Sequence, residues 1–293
     1  MRWKMVDVWN LLKQTFQEWS EDRAPQLGAS LAFYTALSIA PLLVIALGVA
    51  SFVFGEEAAR GEIQNQMQSL VGDEGAGAIE EMIDNANKPA TGTIATLLGV
   101  ATLLFGAAGV FGELQHSLNA IWEVEPKKRG ILGMIRDRFL SFAMVMGIAF
   151  LLLVSLLLSA ALATLGTVLD RLPEELHWLA QALNFAASFV VITLLFAMMF
   201  KLLPDVEMAW SDVWLGAVIT AALFAVGKFD IGLYLGHSSM ASSYGVAGSF
   251  VVLLVWVYYS AQILFFGAEL TQVYANKYGS GISPAASAKP SKR

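Results

Sequence analysis

The chain has 293 residues, 57% of them hydrophobic and 14% charged, with a mean hydropathy of +0.62. Such values exclude an ordinary soluble domain and point to a membrane protein. The formal net charge of −6 is local in origin, because residues 55 to 90 hold eight acids against Arg60 and Lys88. The absence of cysteine excludes disulfides, thiolate metal sites and thiol nucleophiles.

In chain order, residues 1 to 22 come first. Met5, Trp9, Leu12, Phe16 and Trp19 recur at helical spacing, with Lys4, Lys13 and Glu18 among the polar positions. This predicts an amphipathic helix at the membrane interface, where Trp suits the headgroup level and Lys the anionic leaflet. Docking to a partner is the alternative. Six apolar runs follow, at about residues 27–50, 92–112, 139–169, 178–203, 213–236 and 248–270. A hydrocarbon core of ~30 Å takes roughly 20 apolar residues as a helix, so each run is long enough to cross. The third run is longer than one crossing needs, which permits tilt. Period-two alternation is missing, so the spans are read as helices. The predicted fold is therefore all-α: a single polytopic domain over residues 1–278 with six transmembrane helices. It carries an N-terminal interfacial helix and a helical extracytoplasmic cap at 55–90.

The cap is predicted from two further helical patterns, Ile63, Met67, Leu70 and Val71, then Ile79, Met82 and Ile83, separated by GDEGAG. Residues 125–138, EPKKRGILGMIRDR, mix bases with apolar residues in another interfacial pattern. The tail 279–293, GSGISPAASAKPSKR, has the composition of disorder and is assigned to the cytoplasm. Fourteen of the eighteen Lys and Arg lie on one side of these spans. Arg60, Lys88 and Arg171 lie on the other, and Lys228 lies within a span. Basic residues near span ends are retained inside, so both termini are expected in the cytoplasm and the first segment is read as a retained span.

Polar residues inside the spans are the functional candidates, since a buried ionisable group is costly and marks a site by default. Lys228 and Asp230 lie in the apolar run AALFAVGKFDIGLYLG. Two positions apart on a helix, they point about 200° from each other and need separate partners. Asn184, Ser38 and the loop HSSMASSYGVAGS are the polar groups expected at similar depth. A helix-locking ion pair or snorkelling to the interface is the structural alternative. In the first span Ser30, Tyr34 and Ser38 share a face near Pro41, which frees a backbone carbonyl. Packing through small hydroxyls explains the same stripe. Glu113 and His116 at the inner end of the second span, with Glu269 at the inner end of the sixth, are candidates for an inner gate. Pairing with Arg23, Arg136 or Arg138 is the plainer account. Gly106, Gly109 and Gly112 in FGAAGVFG allow close helix approach and do not form a phosphate loop. His116, His177 and His237 lie in separate segments, with no metal-spaced cluster and no nucleophile elbow. The expectation is a protein that is not an enzyme, with no cofactor, no metal and no nucleic-acid partner.

Four segments carry a family resemblance: GASLAFYTALSIAPLL, FGAAGVFGELQHSLNAIWEV, LLPDVEMAWSDVWLGAVITAALFAVGK and YGVAGSFVVLLVWVYYSAQILFFGAEL. Over about residues 8–278 the chain resembles the YihY/BrkB family of bacterial inner-membrane proteins. The resemblance implies a six-helix protein of the bacterial inner membrane, in a family whose members have been called virulence factors and, by an older label, ribonuclease. No cluster of acid, base or metal ligands supports the ribonuclease label. The resemblance further implies transport of a small organic solute or an amphiphile such as a lipid. It carries over Tyr34, Ser38, Pro41, Glu113, Lys228, Tyr244, Gly245, Gly248, Gln262 and Glu269 as candidates, whereas Asp230 enters from its chemistry alone. Membrane lipids are expected partners, and a homo-oligomer is compatible with the sequence. The competing reading is a membrane scaffold or envelope assembly factor that transports nothing.

Overall fold

The computed structural model describes residues 5–57, 59–61, 63–65, 68, 76–77, 80–81, 83–84, 109–127, 177–237 and 248–291. Helix α1 (Met5–Glu21) turns into α2 (Ala24–Phe54) through Arg23, whose φ of 54° is left-handed, and Pro25 pre-sets the first turn of α2. The helix continues unbroken through Pro41, which has no N–H to donate to the carbonyl of Leu37. Residues 109–121 are helical. The later helices are α3 (His177–Leu202), α4 (Trp210–His237) and α5 (Gly248–Lys277).

Among the described residues, three helical windows are long and apolar enough to cross a membrane: Phe185–Leu202, Trp210–Lys228 and Phe250–Lys277. They fall on the last three predicted runs, and α2 covers the first. The second run is described only from residue 109, and the third lies outside the described residues.

Helix α5 is the centre of the packing, touching α1, α2 and α4, while α3 packs on α4. The main core joins Phe196 and Phe200 of α3, Val213 and Ala217 of α4, Phe265 of α5, and Leu118. Helix α1 buries Leu11 against Leu270 and Val273 of α5, with Thr15 fully buried and back-bonded to the Leu11 carbonyl at 2.9 Å. Its other side exposes Val8, Trp9, Leu12 and Phe16. That second apolar face is what an interfacial helix requires once its first face is used for docking.

The described residues between 56 and 84 are all helical. Arg60 donates to Asp84 at 2.6 Å and lies 3.8 Å from Glu56, while the Gln64 amide donates to Glu80 at 3.2 Å. Ala59 and Ile83 are buried in one cluster with Ala32 and Leu47 of α2 and Leu253 of α5. Its described residues therefore pack against α2 and α5.

The tail departs from expectation. Residues 279–291 do not form a disordered extension: β3 (Ser283–Pro284) pairs antiparallel with β2 (Val206–Glu207), and β4 (Ala288–Pro290) pairs antiparallel with β1 (Val124–Pro126). The strand β1 also replaces the interfacial pattern expected at residues 125 and 126. Ala288 is buried in the main core and Ile282 packs against it. Asp205 is the hub of the arrangement. Its carboxylate accepts from Asn119 at 3.0 Å and from the Ser287 hydroxyl at 2.9 Å, and its backbone N–H donates to the Asn119 side-chain oxygen at 2.8 Å. Asp212, in the first turn of α4, accepts from the backbone and hydroxyl of Ser280 at 2.9 and 2.7 Å. Gly279 is required there, because a Cβ would come within 2.6 Å of the Asp212 carboxylate. Composition misses such a strap because its ordering comes from distant backbone partners and from the carboxylates of Asp205 and Asp212.

The pairing is directly testable in a chain without cysteine. Glu125 and Lys289 are cross-strand partners, joined by an ion pair of 3.0 Å. Antiparallel partners have the Cα spacing a disulfide needs. Glu125→Cys with Lys289→Cys is expected to cross-link in high yield under mild oxidation, shown by a mobility shift in a non-reducing gel. A disordered tail would cross-link no better than a pair such as 125 with 280.

Candidate functional site

Two Gly-x-x-x-Thr sequences meet where α4 and α5 cross. Gly216 lies against Thr271, and Gly267 lies against Thr220. A Cβ at 216 would come within 2.8 Å of the Thr271 Cβ and overlap its hydroxyl, and one at 267 would do the same to Thr220. Each threonine thus fills the notch left by the other helix's glycine. Each hydroxyl also donates to the carbonyl of its own helix's glycine at 2.7 Å, so neither buried oxygen is left unsatisfied. Four-residue spacing on both helices gives an antiparallel seam in which small residues let the backbones approach.

Farther along, Gly227 faces Tyr259 and Ile263, and a Cβ there would come to 3.0 Å of the tyrosine ring. Beside this line the helices leave a groove of about 690 Å³ with no charged side chain in its walls. Helix α4 contributes Ala222 and Val226, α5 contributes Tyr259 and Ile263, and α1 closes one end with Phe16 and Trp19. The two α1 rings stack at 5.6 Å between centroids. Two polar groups in these walls have no hydrogen-bond partner among the described residues: the Gln262 amide, through both its nitrogen and its oxygen, and the Trp19 indole N–H. The Gln262 amide is seated in the notch left by Gly28 on α2.

Of the residues singled out in the sequence, Gln262 alone lines this groove. Tyr34 and Ser38 face Gly109, where a Cβ would sit 3.6 Å from each, so the predicted stripe packs against the start of the 109–121 helix. Ser30 is half-buried, Tyr34 is 40% exposed and Ser38 is buried, so the stripe does not line one continuous polar path. Gly112, in contrast to Gly109, has no described residue within 4 Å of where a Cβ would sit. Gly248 is buried at the start of α5. Tyr244, Gly245, Gly106 and the side chains of Pro41, Asn184 and Asp230 lie outside the described residues.

Lys228 is exposed, on the same α4 face as the buried Ala217 and Ala221 and about 100° from Gly227, the residue turned toward α5. Its long stem can carry the ammonium to a wet surface, the snorkelling alternative. At the inner end Glu269 is fully buried, Glu113 is half-buried and His116 is exposed, so the three do not share one environment. Among the described residues no group of three His, Cys, Asp or Glu is placed to hold a metal.

Sequence reasoning passed over Thr220, Thr271, Trp19 as a donor, and Asp205. The repeated Gly-x-x-x-Thr was the available signal for the first two. Replacing Gly267 by Leu forces a side chain into the space of Thr220, and overpacking of this kind costs about 1–3 kcal/mol. Gly267→Leu is expected to lower the thermal unfolding midpoint of the purified protein by several degrees, and adding Thr220→Gly is expected to recover part of the loss. Equal loss in the single and double variants would contradict the reciprocal seam.

The sequence profile described as Virulence factor BrkB matches residues 15–292. Curated relatives carry the name UPF0761 membrane protein. One from Kangiella koreensis is 24% identical over 91% of this chain and 63% of its own length. One from Verminephrobacter eiseniae is 29% identical over 90% of this chain and 62% of its own length. One from Photobacterium profundum is 27% identical over 85% of this chain and 76% of its own length. The chain thus spans about 60% of the length of several of the relatives it matches. No solved structure matches it. The protein is an integral membrane protein and belongs to the BrkB family.

Proposed function

We propose that the protein moves an amphiphile across or out of the bilayer along the lateral groove between α4 and α5. One observation carries the reading: the groove lies between two membrane-length helices, is apolar and uncharged, and is walled by the exposed side chains of Val218, Ala222 and Val226 together with Gln262. A path for a charged hydrophilic solute would call for charged or hydrated walls, and no charged side chain lines this groove. An apolar chain can enter sideways from the hydrocarbon. The accompanying topology is six spans in a bacterial inner membrane, both termini cytoplasmic, with the folded-back 56–84 segment as an extracytoplasmic cap. The basic asymmetry of the sequence supports it. We read the protein as a non-enzyme that needs no cofactor and binds no nucleic acid.

The scaffold reading is favoured by a separate observation, the ion-paired acidic segment around Arg60, Asp84 and Glu80, which offers a fixed surface to a partner.

The test is reconstitution into liposomes carrying fluorescent phospholipids on one leaflet, with compatible solutes and organic anions in parallel. Wild-type protein is expected to accelerate passage of the lipid probes, and Gln262→Leu to slow it several-fold at equal reconstitution. Passage of a hydrophilic solute with no lipid movement would overturn the amphiphile reading. No movement of any probe would favour the scaffold.

A further inference from the structure

The tail is held by the rest of the chain in the way a separate peptide would be. Residues 282–291 form two short strands joined by a turn, Ser283–Pro284 on β2 and Ala288–Pro290 on β1. Further backbone bonds fasten it on both sides. The Ala285 N–H donates to the Asp205 carbonyl at 2.9 Å, the Lys127 N–H to the Ser287 carbonyl at 2.9 Å, and the Ser291 N–H to the Glu123 carbonyl at 2.7 Å. This is the pattern of strand addition, in which main-chain bonds supply affinity and pockets for individual side chains supply selectivity.

Two side chains supply the selectivity here. Ala288 is 3% exposed and belongs to the main core cluster, as do Val124 and Val206 of the flanking strands. A larger side chain at such a packed position must displace its neighbours. The preceding residue, Ser287, donates its hydroxyl to one oxygen of the Asp205 carboxylate at 2.9 Å. The other oxygen accepts from Asn119 at 3.0 Å, and the Asp205 N–H donates back to Asn119 at 2.8 Å. The acceptor is therefore fixed by the 109–121 helix independently of the tail.

The tail is also built to come away. Of residues 279–291 only Ala288 is buried, while Ser283, Ala286, Lys289 and Pro290 are exposed. Gly281, at a left-handed φ of 79°, separates the strands from the end of α5. Segments with little buried apolar contact and water-accessible hydrogen bonds open locally at lower free energy than packed helices.

We propose that the cleft between residues 123–127 and 205–207 is a binding site for a peptide segment in which a hydroxyl residue precedes a small one, and that the chain's own tail occupies it as a tethered, displaceable ligand. The site is separate from the α4–α5 groove, and the inference stands whether or not the protein moves an amphiphile. A tethered occupant acts at roughly millimolar effective concentration, so a free competitor binds well only after the tail is weakened.

The test uses the full chain purified in a mild detergent and a fluorescent peptide of residues 282–291, ISPAASAKPS. Ala288→Arg evicts the chain's own tail and leaves the cleft intact, and this variant is expected to bind the peptide about tenfold or more tightly than wild type does. A peptide carrying the same Ala288→Arg change is expected not to bind. Oxidised Glu125→Cys with Lys289→Cys fastens the tail in place and is also expected to bind no peptide. Hydrogen exchange of the wild-type chain needs no substitution: the amides of Lys127, Ala285 and Ser291 are expected to exchange together, about tenfold or more faster than those in the middle of α5. Failure of the peptide to bind the folded Ala288→Arg chain, equal binding by the oxidised double-cysteine chain, or loss of the folded helices in Ala288→Arg by thermal unfolding would each overturn the site. Tail amides that exchange only as fast as the helices would overturn it as well.

Discussion

The close approach of α4 to α5 is the constraint on which the rest of the protein depends. In a bilayer the hydrophobic effect does not draw helices together, because lipid tails are as apolar as the side chains, so shape and satisfied polar groups must do it. The exchange of Gly216 for Thr271 and of Thr220 for Gly267 provides both. Helix α5 also touches α1 and α2, so the seam that positions α5 on α4 indirectly positions α1 and α2. The same seam explains the groove. Helices locked along one line by small residues splay to one side of it, and here that side is lined by Ala222, Val226 and Ile263.

The helix ends beside the tail are tied by a different kind of interaction. Away from the hydrocarbon, backbone groups can find partners in irregular structure, and the tail does so by threading between residues 124–127 and 205–207. Asp205 links the 109–121 helix to the tail through Asn119 and Ser287, and Asp212 links α4 to the end of α5 through Ser280. Carboxylates that accept several hydrogen bonds become costly when one partner is withdrawn. The strap therefore resists separation of these helix ends.

Much of this architecture is legible in the amino-acid sequence, because membrane helices announce themselves by length and uniform apolarity. The runs at 178–203, 213–236 and 248–270 coincide with α3, α4 and α5 to within a few residues at most of their ends. The exposed apolar face of α1 is visible in the spacing of Trp9, Leu12 and Phe16, whereas the buried face of Leu11 and Thr15 is not. The site was less legible, for two reasons. A charged residue in an apolar run draws attention wherever it points, yet Lys228 does not line the groove. Gln262, by contrast, is one polar letter in a span, and its importance depends on the Gly28 notch and on α1 lying nearby, which are relations between segments far apart in the chain. The strap was hidden for a similar reason, since strands of two or three residues have no periodicity and their partners lie about 80 and 165 residues away.

The central claim is that the seam leaves an open, lipid-facing groove that an acyl chain enters beneath α1. An experimental structure determined in a bilayer of phospholipid brominated along its acyl chains tests this most directly. The account predicts bromine density between α4 and α5 beside Ala222 and Val226. Bromine confined to the annulus around the protein, with the space between α4 and α5 filled by the protein's own side chains, would contradict it.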